Sequence, residues 1–235
     1  MKQLLLVSLI FHHFTFSYQH LVLISAPGSG KGTLSQHLIE HHDFVQICAG
    51  DLIRAEAASG SEIGKQIEPI INRGDYLPDE LVCNMLEKHL LNALKNQKRF
   101  ILDGFPRSTY TLNFLDKFLI QHHLTNQVCF VQLLAHDSDC LERISSRQVC
   151  PNCFKVYNLK TAPTRVKNSC NQCQHNLTIR IADTQAIVQK RLDYFHNQIE
   201  PLLDLIAQKY PVIRINTFNK SILELTQEYE QITKN

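Results

Sequence analysis

The chain has almost no excess of either charge. Its 24 basic and 22 acidic side chains leave a formal net charge of +2 over 235 residues. So small a balance excludes the strong basic field of a nucleic-acid or membrane-surface protein. Past the N-terminal stretch there is no run of eighteen apolar residues, the length a membrane span needs. Internal repeats and low-complexity tracts are also lacking, and no Ser-His-Asp or paired-carboxylate arrangement stands out. What is present is 44% apolar content, enough for the core of one α/β domain with inserted subdomains.

The chain is organised around Ser25-Ala-Pro-Gly-Ser-Gly-Lys-Gly-Thr33. An uncharged run, His20 to Ser25, precedes it and reads as a buried parallel strand; Leu34 to Ile39 follows and reads as a helix. Strand, Gly-rich turn, Lys and helix is the order of a phosphate-cradling loop. Gly28 and Gly30 permit backbone angles that turn successive N–H groups toward an anion. Lys31 adds a point charge, and the helix N-terminus a partial one. A strict phosphate loop opens with Gly, whereas this one opens with Ser25.

Residues 1–18 begin with one Lys and a short apolar run to Phe11. That resembles a weak secretory signal, with Thr15 and Ser17 at small-residue positions but no Ala-x-Ala. The alternatives are an N-terminal extension packed on the domain, or a start placed too early. Eight cysteines occur. Cys48, Cys83, Cys129 and Cys140 are scattered and read as small buried hydrophobes. Cys150-x-x-Cys153 and Cys170-x-x-Cys173, sixteen residues apart, form a zinc pattern. Four thiolates close a tetrahedral site, so the metal is expected to be structural; iron also suits such a set. The polar stretch between the knuckles cannot make a core, and the metal would replace it. This usage fits a reducing compartment.

Further strands are expected at 44–48, 99–103, 128–134 and 211–216. Helices are expected from Asp51, as N-cap, to about 59; over 61–72, stopped by Gly74; from Pro78 to about 94; over 137–147; from 183 to about 210, bent near Pro201; and over 221–232. On the fourth of these, Arg143 and Arg147 at i, i+4 share a face, where two cations repel unless an anion neutralises them. Asp103 ends its strand on the edge where α/β sheets bind ligands. Alternating strands and helices give a parallel five-stranded sheet with helices on both faces. A helical excursion at 49–77 and the cysteine segment read as two flaps.

The inventory is a phosphate loop, a strand-end Asp and six arginines near loops or flap hinges: Arg54, Arg107, Arg143, Arg147, Arg180 and Arg191. Cations converging on phosphates suit phosphoryl transfer, in which the protein positions anions and stabilises spread charge. Two flaps suit two enclosed substrates and excluded water.

From residue 20 to about 232 the chain resembles the adenylate kinases of the long-lid, zinc-bearing type. The resemblance rests on Pro27-Gly-Ser-Gly-Lys-Gly-Thr33, Gly50-Asp-Leu-Ile-Arg54, Pro78-Asp-Glu-Leu-Val82, Asp103-Gly-Phe-Pro-Arg107, the Arg143/Arg147 pair, the four-cysteine lid, Arg180 and Lys190-Arg191. It implies ATP + AMP ⇌ 2 ADP with Mg²⁺ and a structural Zn²⁺. Two moving flaps need free surface, so a monomer is expected, and nucleotide supply with the cysteine usage favours a cytoplasmic location, export remaining the alternative. It implies a kinase core over 19–235, with a monophosphate-binding flap at 48–77 and a lid at 146–183. Gly28, Ser29, Gly30, Lys31, Gly32, Thr33, Arg143, Arg147 and Asn219 would bind ATP, and Asp103 the hydrated Mg²⁺. Ala49, Arg54, Asp75, Tyr76, Leu77, Gly104, Arg107, Thr111, Arg180 and Arg191 would line the AMP site. Lys31, Asp103, Arg107, Arg147, Arg180 and Arg191 would serve the chemistry.

Four departures accompany the resemblance. Ser25 replaces a Gly and requires negative φ. Ala49 stands where the family usually has Thr, and Thr111 where it has a Gln that reads adenine. Ala182 replaces the first of two Asp at the lid hinge, leaving Asp183. Three alternatives stay open: UMP, CMP or GMP as acceptor; a catalytically weak nucleotide-binding homologue; and a zinc-ribbon nucleic-acid binder using Lys155, Lys160, Arg165 and Lys167. Low net charge and no aromatic stacking face oppose the last.

Overall fold

Alternation along the central strands sorts the core into two layers. In β1 (His20–Leu23), Leu21 and Leu23 pack on one side, Val22 and the following Ile24 on the other. In β3 (Arg99–Asp103), Ile101 joins the first side, Phe100 and Leu102 the second. In β4 (Val128–Leu134), Cys129 and Val131 take the first, Val128 and Phe130 the second. Strands buried on both faces need helices on both faces. The structure, a computed structural model, describes residues 18–218, 220 and 222–233. Residues 1–17, where the signal-like reading falls, and Asn219 lie outside the described residues.

With β2 (Phe44–Cys48), these strands belong to a five-stranded sheet. Two short strands, β5 (Arg147–Val149) and β6 (Val156–Asn158), pair with each other, antiparallel, outside it. The last strand, β7 (Val212–Asn216), completes the main sheet in the order β2-β3-β1-β4-β7, all parallel. The expected fold class is the observed one.

The helices are α1 (Lys31–His42), α2 (Ala49–Ala58), α3 (Glu62–Asn72), α4 (Asp79–Lys95), α5 (Thr109–Gln121), α6 (Asp137–Ser145), α7 (Gln185–Tyr194), α8 (Leu202–Ala207) and α9 (Ile222–Thr233). Leu34 and Leu38 of α1 and Leu225 and Tyr229 of α9 cover one face. Leu86 and Leu90 of α4, Leu115 and Leu119 of α5, and Val188 and Leu192 of α7 cover the other. Helices α2 and α3 leave the sheet between β2 and β3 and close on a small cluster of Ile53, Ile67 and Leu77.

Several local expectations need correcting. Cys48, not Asp51, stands at the N-cap position of α2, with no side-chain capping bond; Asp51 lies in the first turn, where its charge still suits the helix dipole. Helix α6 ends at Ser145, because the hydroxyls of Ser145 and Ser146 both donate to the Glu142 carbonyl, at 2.8 and 2.9 Å. Arg147 therefore starts β5, and Arg143 and Arg147 do not share a helix face. The expected long helix from 183 is broken. A 3-10 turn (Ile181–Asp183), α7, a π turn (Phe195–Ile199) and α8 replace it, the π turn immediately preceding Glu200-Pro201. Helix α5 was absent from the sequence reading; Ser108 caps it, accepting from the Thr111 N–H at 3.1 Å.

Candidate active site

The site is built on the carboxyl edge of the sheet. Register places Leu23 beside Asp103, so the loop leaving β1 and the carboxylate ending β3 are neighbours. The loop turns at Gly28 and Gly30, with φ of 85° and 108°. A Cβ on Gly28 would stand 2.7 Å from the Cys140 carbonyl, so α6 packs directly against the loop. Ser29 is fully buried, and its Oγ has no hydrogen-bond partner among the described residues. Gly32 and Thr33 are exposed on the first turn of α1.

Lys31 curls back over the loop. Its Nζ donates to the carbonyls of Ser25 at 2.7 Å and Ala26 at 3.0 Å. Burial lowers its pKa, opposed by Asp103 and reinforced by Arg191 and Arg107. Asp103 is held from the other side by Gln46 Nε2 at 3.2 Å. Burial raises its pKa, while Lys31 and Arg107 pull it down.

Ser25 fits because its φ is not positive, so the Gly of the strict motif is not required there. Its Oγ accepts from the Leu133 N–H at 2.7 Å, tying the loop to β4. Arg143 fixes the loop at another point. It donates to the Ser29 carbonyl and the Thr217 hydroxyl, both at 3.3 Å, and to the Thr217 carbonyl at 3.0 Å. Next to Thr217, Phe218 stacks on His136, with ring centroids 3.7 Å apart.

On the other side of Asp103, Gly104 has φ 73°, and a Cβ there would stand 2.9 Å from the Arg107 guanidinium. Arg107 Nε donates to the Gly104 carbonyl at 2.6 Å, and its Cζ lies 4.9 Å from the Tyr76 ring centroid. Tyr76 stacks on Tyr194 of α7 at 3.9 Å. These rings line a pocket with Leu77, Asp79, Arg107 and Thr111. The Thr111 hydroxyl is fully engaged. It accepts from the N–H groups of Arg107 and Ser108, each at 2.9 Å, and donates to the Ser108 carbonyl at 3.0 Å. Ala49 is buried in the core.

The remaining arginines meet between α2 and the β5 segment. Arg54 pairs with Asp51. Arg147 grips Asp183. Arg180 is lowered to about 10, by burial first and then by Arg54 and Arg147. Arg191 is lowered by burial, with Arg107 and Arg147 adding to it. Asp75 binds Arg73 at 3.1 Å and also Lys190, which holds its carboxyl below the usual range. Lys31 and Arg107 thus both act on Asp103, and Arg191 links them through Arg147 to Arg180 and Arg54.

The cysteine knuckles close on each other. The four sulfurs lie within 4.8 Å of one another, Cys150 and Cys173 at 3.3 Å, Cys153 and Cys170 at 3.5 Å. A tetrahedral four-thiolate zinc site has sulfurs about 3.8 Å apart, so the set fits. The Cys153 N–H points at the Cys150 sulfur at 3.5 Å and the Gln172 N–H at that of Cys170 at 3.4 Å. The Tyr157 hydroxyl lies 3.2 Å from the Cys170 sulfur. Such contacts orient thiolate ligands.

Gln46, Tyr194, Asp79 and Thr217 were not foreseen. A polar Gln inside an otherwise apolar strand was the available signal for the first; the others are non-local partners.

The family model described as adenylate kinase matches residues 23–210. A protein named adenylate kinase from Thermodesulfovibrio yellowstonii is 35% identical over 189 residues, 80% of this chain and 87% of its own length. One of that name from Borrelia turicatae is 32% identical over 89% of this chain and 99% of its own length. Another, from Thermococcus kodakarensis, is 32% identical over 84% and 86%.

Proposed function

The chain belongs to the adenylate kinase family and is a phosphotransferase of the reaction ATP + AMP ⇌ 2 ADP; we propose the following division of labour among its residues. Lys31 leaves the Ser25 and Ala26 carbonyls for the outer ATP phosphates, joined by the backbone of Gly28 to Thr33. Arg143 steadies the loop, and Asn219, outside the described residues, is kept as an ATP ligand on the resemblance alone. Arg54 and Arg107 take the AMP phosphate, with its base in the pocket of Tyr76, Leu77 and Thr111. Arg147, Arg180 and Arg191 spread the charge of the transferring phosphoryl group. Asp103 would hold hydrated Mg²⁺, since a single carboxylate suits a cation that keeps most of its hydration, and the ion would supply neutralisation of phosphate charge.

The observation that carries this reading is the placement of cations beside Asp103, with Lys31 anchored on the Ser25 and Ala26 carbonyls and Arg107 on that of Gly104. Burial first lowers Lys31, Arg180 and Arg191, and neighbouring cations add to it: Arg191 and Arg107 for Lys31, which Asp103 opposes, Arg54 and Arg147 for Arg180, and Arg107 and Arg147 for Arg191. Like charges held this close are stabilised by polyanions between them.

Residues 48–77 act as the monophosphate flap and 146–183 as the lid, closing to exclude water. Cys150, Cys153, Cys170 and Cys173 hold a structural Zn²⁺ that replaces the missing core of the lid. Eight unbridged cysteines support a reducing compartment, hence a cytoplasmic enzyme, and we read it as a monomer with no nucleic-acid or membrane partner. Among the described residues no helix is long and apolar enough to cross a membrane.

The saturated Thr111 hydroxyl favours a second reading, in which the acceptor base is loosely read and GMP, CMP or UMP also serves. A coupled assay of ADP formation from Mg-ATP across the four monophosphates tests both. Turnover with AMP is expected. Turnover with a pyrimidine monophosphate alone overturns the assignment of AMP.

A further inference from the structure

Helix α1 carries Lys31 at one end and a cluster of histidines at the other. His37 and His42 both aim Nε2 at one oxygen of Glu230 on α9, at 3.9 and 3.0 Å. The three ligand atoms lie within 4.8 Å of one another. A tetrahedral ion with bonds of about 2.0–2.1 Å separates its ligands by about 3.3 Å, so small rotations close the set. We propose that His37, His42 and Glu230 form a second transition-metal site, which clamps α9 onto the far end of α1.

The donor set defines the ligand. Two imidazoles and one carboxylate suit Zn²⁺, Ni²⁺ or Cu²⁺, whereas Mg²⁺ and Ca²⁺ call for oxygen alone. Three protein ligands leave a position for water. All three side chains are half-buried, so an ion can enter without unfolding. The ring of His41 stacks on that of His37 at 4.2 Å, and its Nδ1 is 2.9 Å from the His37 carbonyl, which orients the first ligand from outside the set. At the helix end, Arg99 donates to the His42 carbonyl at 3.3 Å. At 1.5 Å rise per residue the cluster lies roughly 9–16 Å along α1 from Lys31, clear of the phosphate loop. It also differs in ligand type from the four-cysteine set.

The plain alternative is that His42 and Glu230 share a hydrogen bond with His37 standing beside it and no metal is taken up. Metal uptake separates the two. The full chain, loaded with Zn²⁺ and passed over a chelating resin to leave only tightly held metal, is titrated calorimetrically with Zn²⁺. Wild type is expected to take up one further equivalent and to gain thermal stability. His42→Gln and Glu230→Gln lose that equivalent, while His41→Gln keeps it; retained AMP turnover shows that each variant is folded. With Co²⁺ as probe, this equivalent adds no thiolate-to-metal absorption, which separates it from the lid. No uptake by wild type, undiminished uptake by both ligand variants, or thiolate absorption from the added equivalent overturns the proposal.

Discussion

Arg147 holds Asp183 with two hydrogen bonds, Nε to Oδ2 at 2.8 Å and a terminal nitrogen to Oδ1 at 2.5 Å, and the Asp183 side chain is 1% exposed. The pair joins the first residue of β5 to the segment returning from the cysteine knuckles. Arg180 and Arg191 feel the same carboxylate. Asp183→Asn leaves three cations without their shared anion. Losing one partner of a fully buried pair costs about 3–5 kcal/mol. Arg147 is partly solvated, so roughly 2–3 kcal/mol is expected here, read from denaturant midpoints.

Lys31→Ala and Arg107→Ala remove the donor-side and acceptor-side anchors of the proposed mechanism. Each is expected to lower kcat by about 10³-fold or more, the scale for groups that stabilise transferring charge. Both side chains anchor on loop carbonyls, so circular dichroism should stay near wild type, while the thermal midpoint falls because buried Asp103 loses a compensating cation. Turnover within about tenfold of wild type in either variant removes that residue from the mechanism.

Ser25→Gly restores the strict loop motif but removes the acceptor for the Leu133 N–H. A buried donor left without its partner costs about 1–3 kcal/mol, and the added Gly freedom roughly 0.5–1 more. Lower stability with nearly unchanged kcat is expected from a thermal scan and the ADP assay. A markedly faster enzyme would mean that Ser25 strains the loop.

If the four cysteines hold the proposed structural metal, chelation or Cys170→Ser is expected to lower the thermal midpoint more than kcat measured well below it, because the metal then stands in for a core. The check is metal content and melting on one preparation. A chain purified without chelator that carries no cysteine-bound metal contradicts the zinc lid.

Local signals were legible and non-local ones were not. The strands at 44–48, 99–103 and 128–134 match their sequence boundaries because polar residues mark their starts, Asp43, Arg99 and Gln127, and Asp103 ends the second. The loop from Gly28 to Thr33 and the Asp103-to-Arg107 turn were readable because their chemistry is contiguous in sequence. The end of α6 was not, since it depends on two serine hydroxyls turning back to one carbonyl. Nor was the partnership of Arg147 with Asp183, 36 residues away. The saturation of Thr111 was likewise hidden: the family resemblance implies a Gln there, while the structure shows where Thr111 spends every hydrogen bond.

His20 gives the fold a defined acid sensitivity. It is 5% exposed at the start of β1, stacked on Phe100 with centroids 4.0 Å apart, and its Nδ1 accepts the Phe100 N–H at 3.3 Å. Burial, then the nearby Arg99, lowers its pKa from 6.5 to about 4. Between those values the unfolded chain takes up a proton that the folded chain refuses. The contribution is therefore complete above pH 6.5 and declines as pH falls toward 4, below which no more is lost. At 1.36 kcal/mol per pH unit the full decline is roughly 3 kcal/mol. His20→Asn keeps an acceptor for the Phe100 N–H but cannot titrate. Denaturant unfolding from pH 7 to 4 should show the gap between variant and wild type moving in the variant's favour through that window. Parallel curves would mean that His20 takes up its proton in the folded state as readily as in the unfolded one.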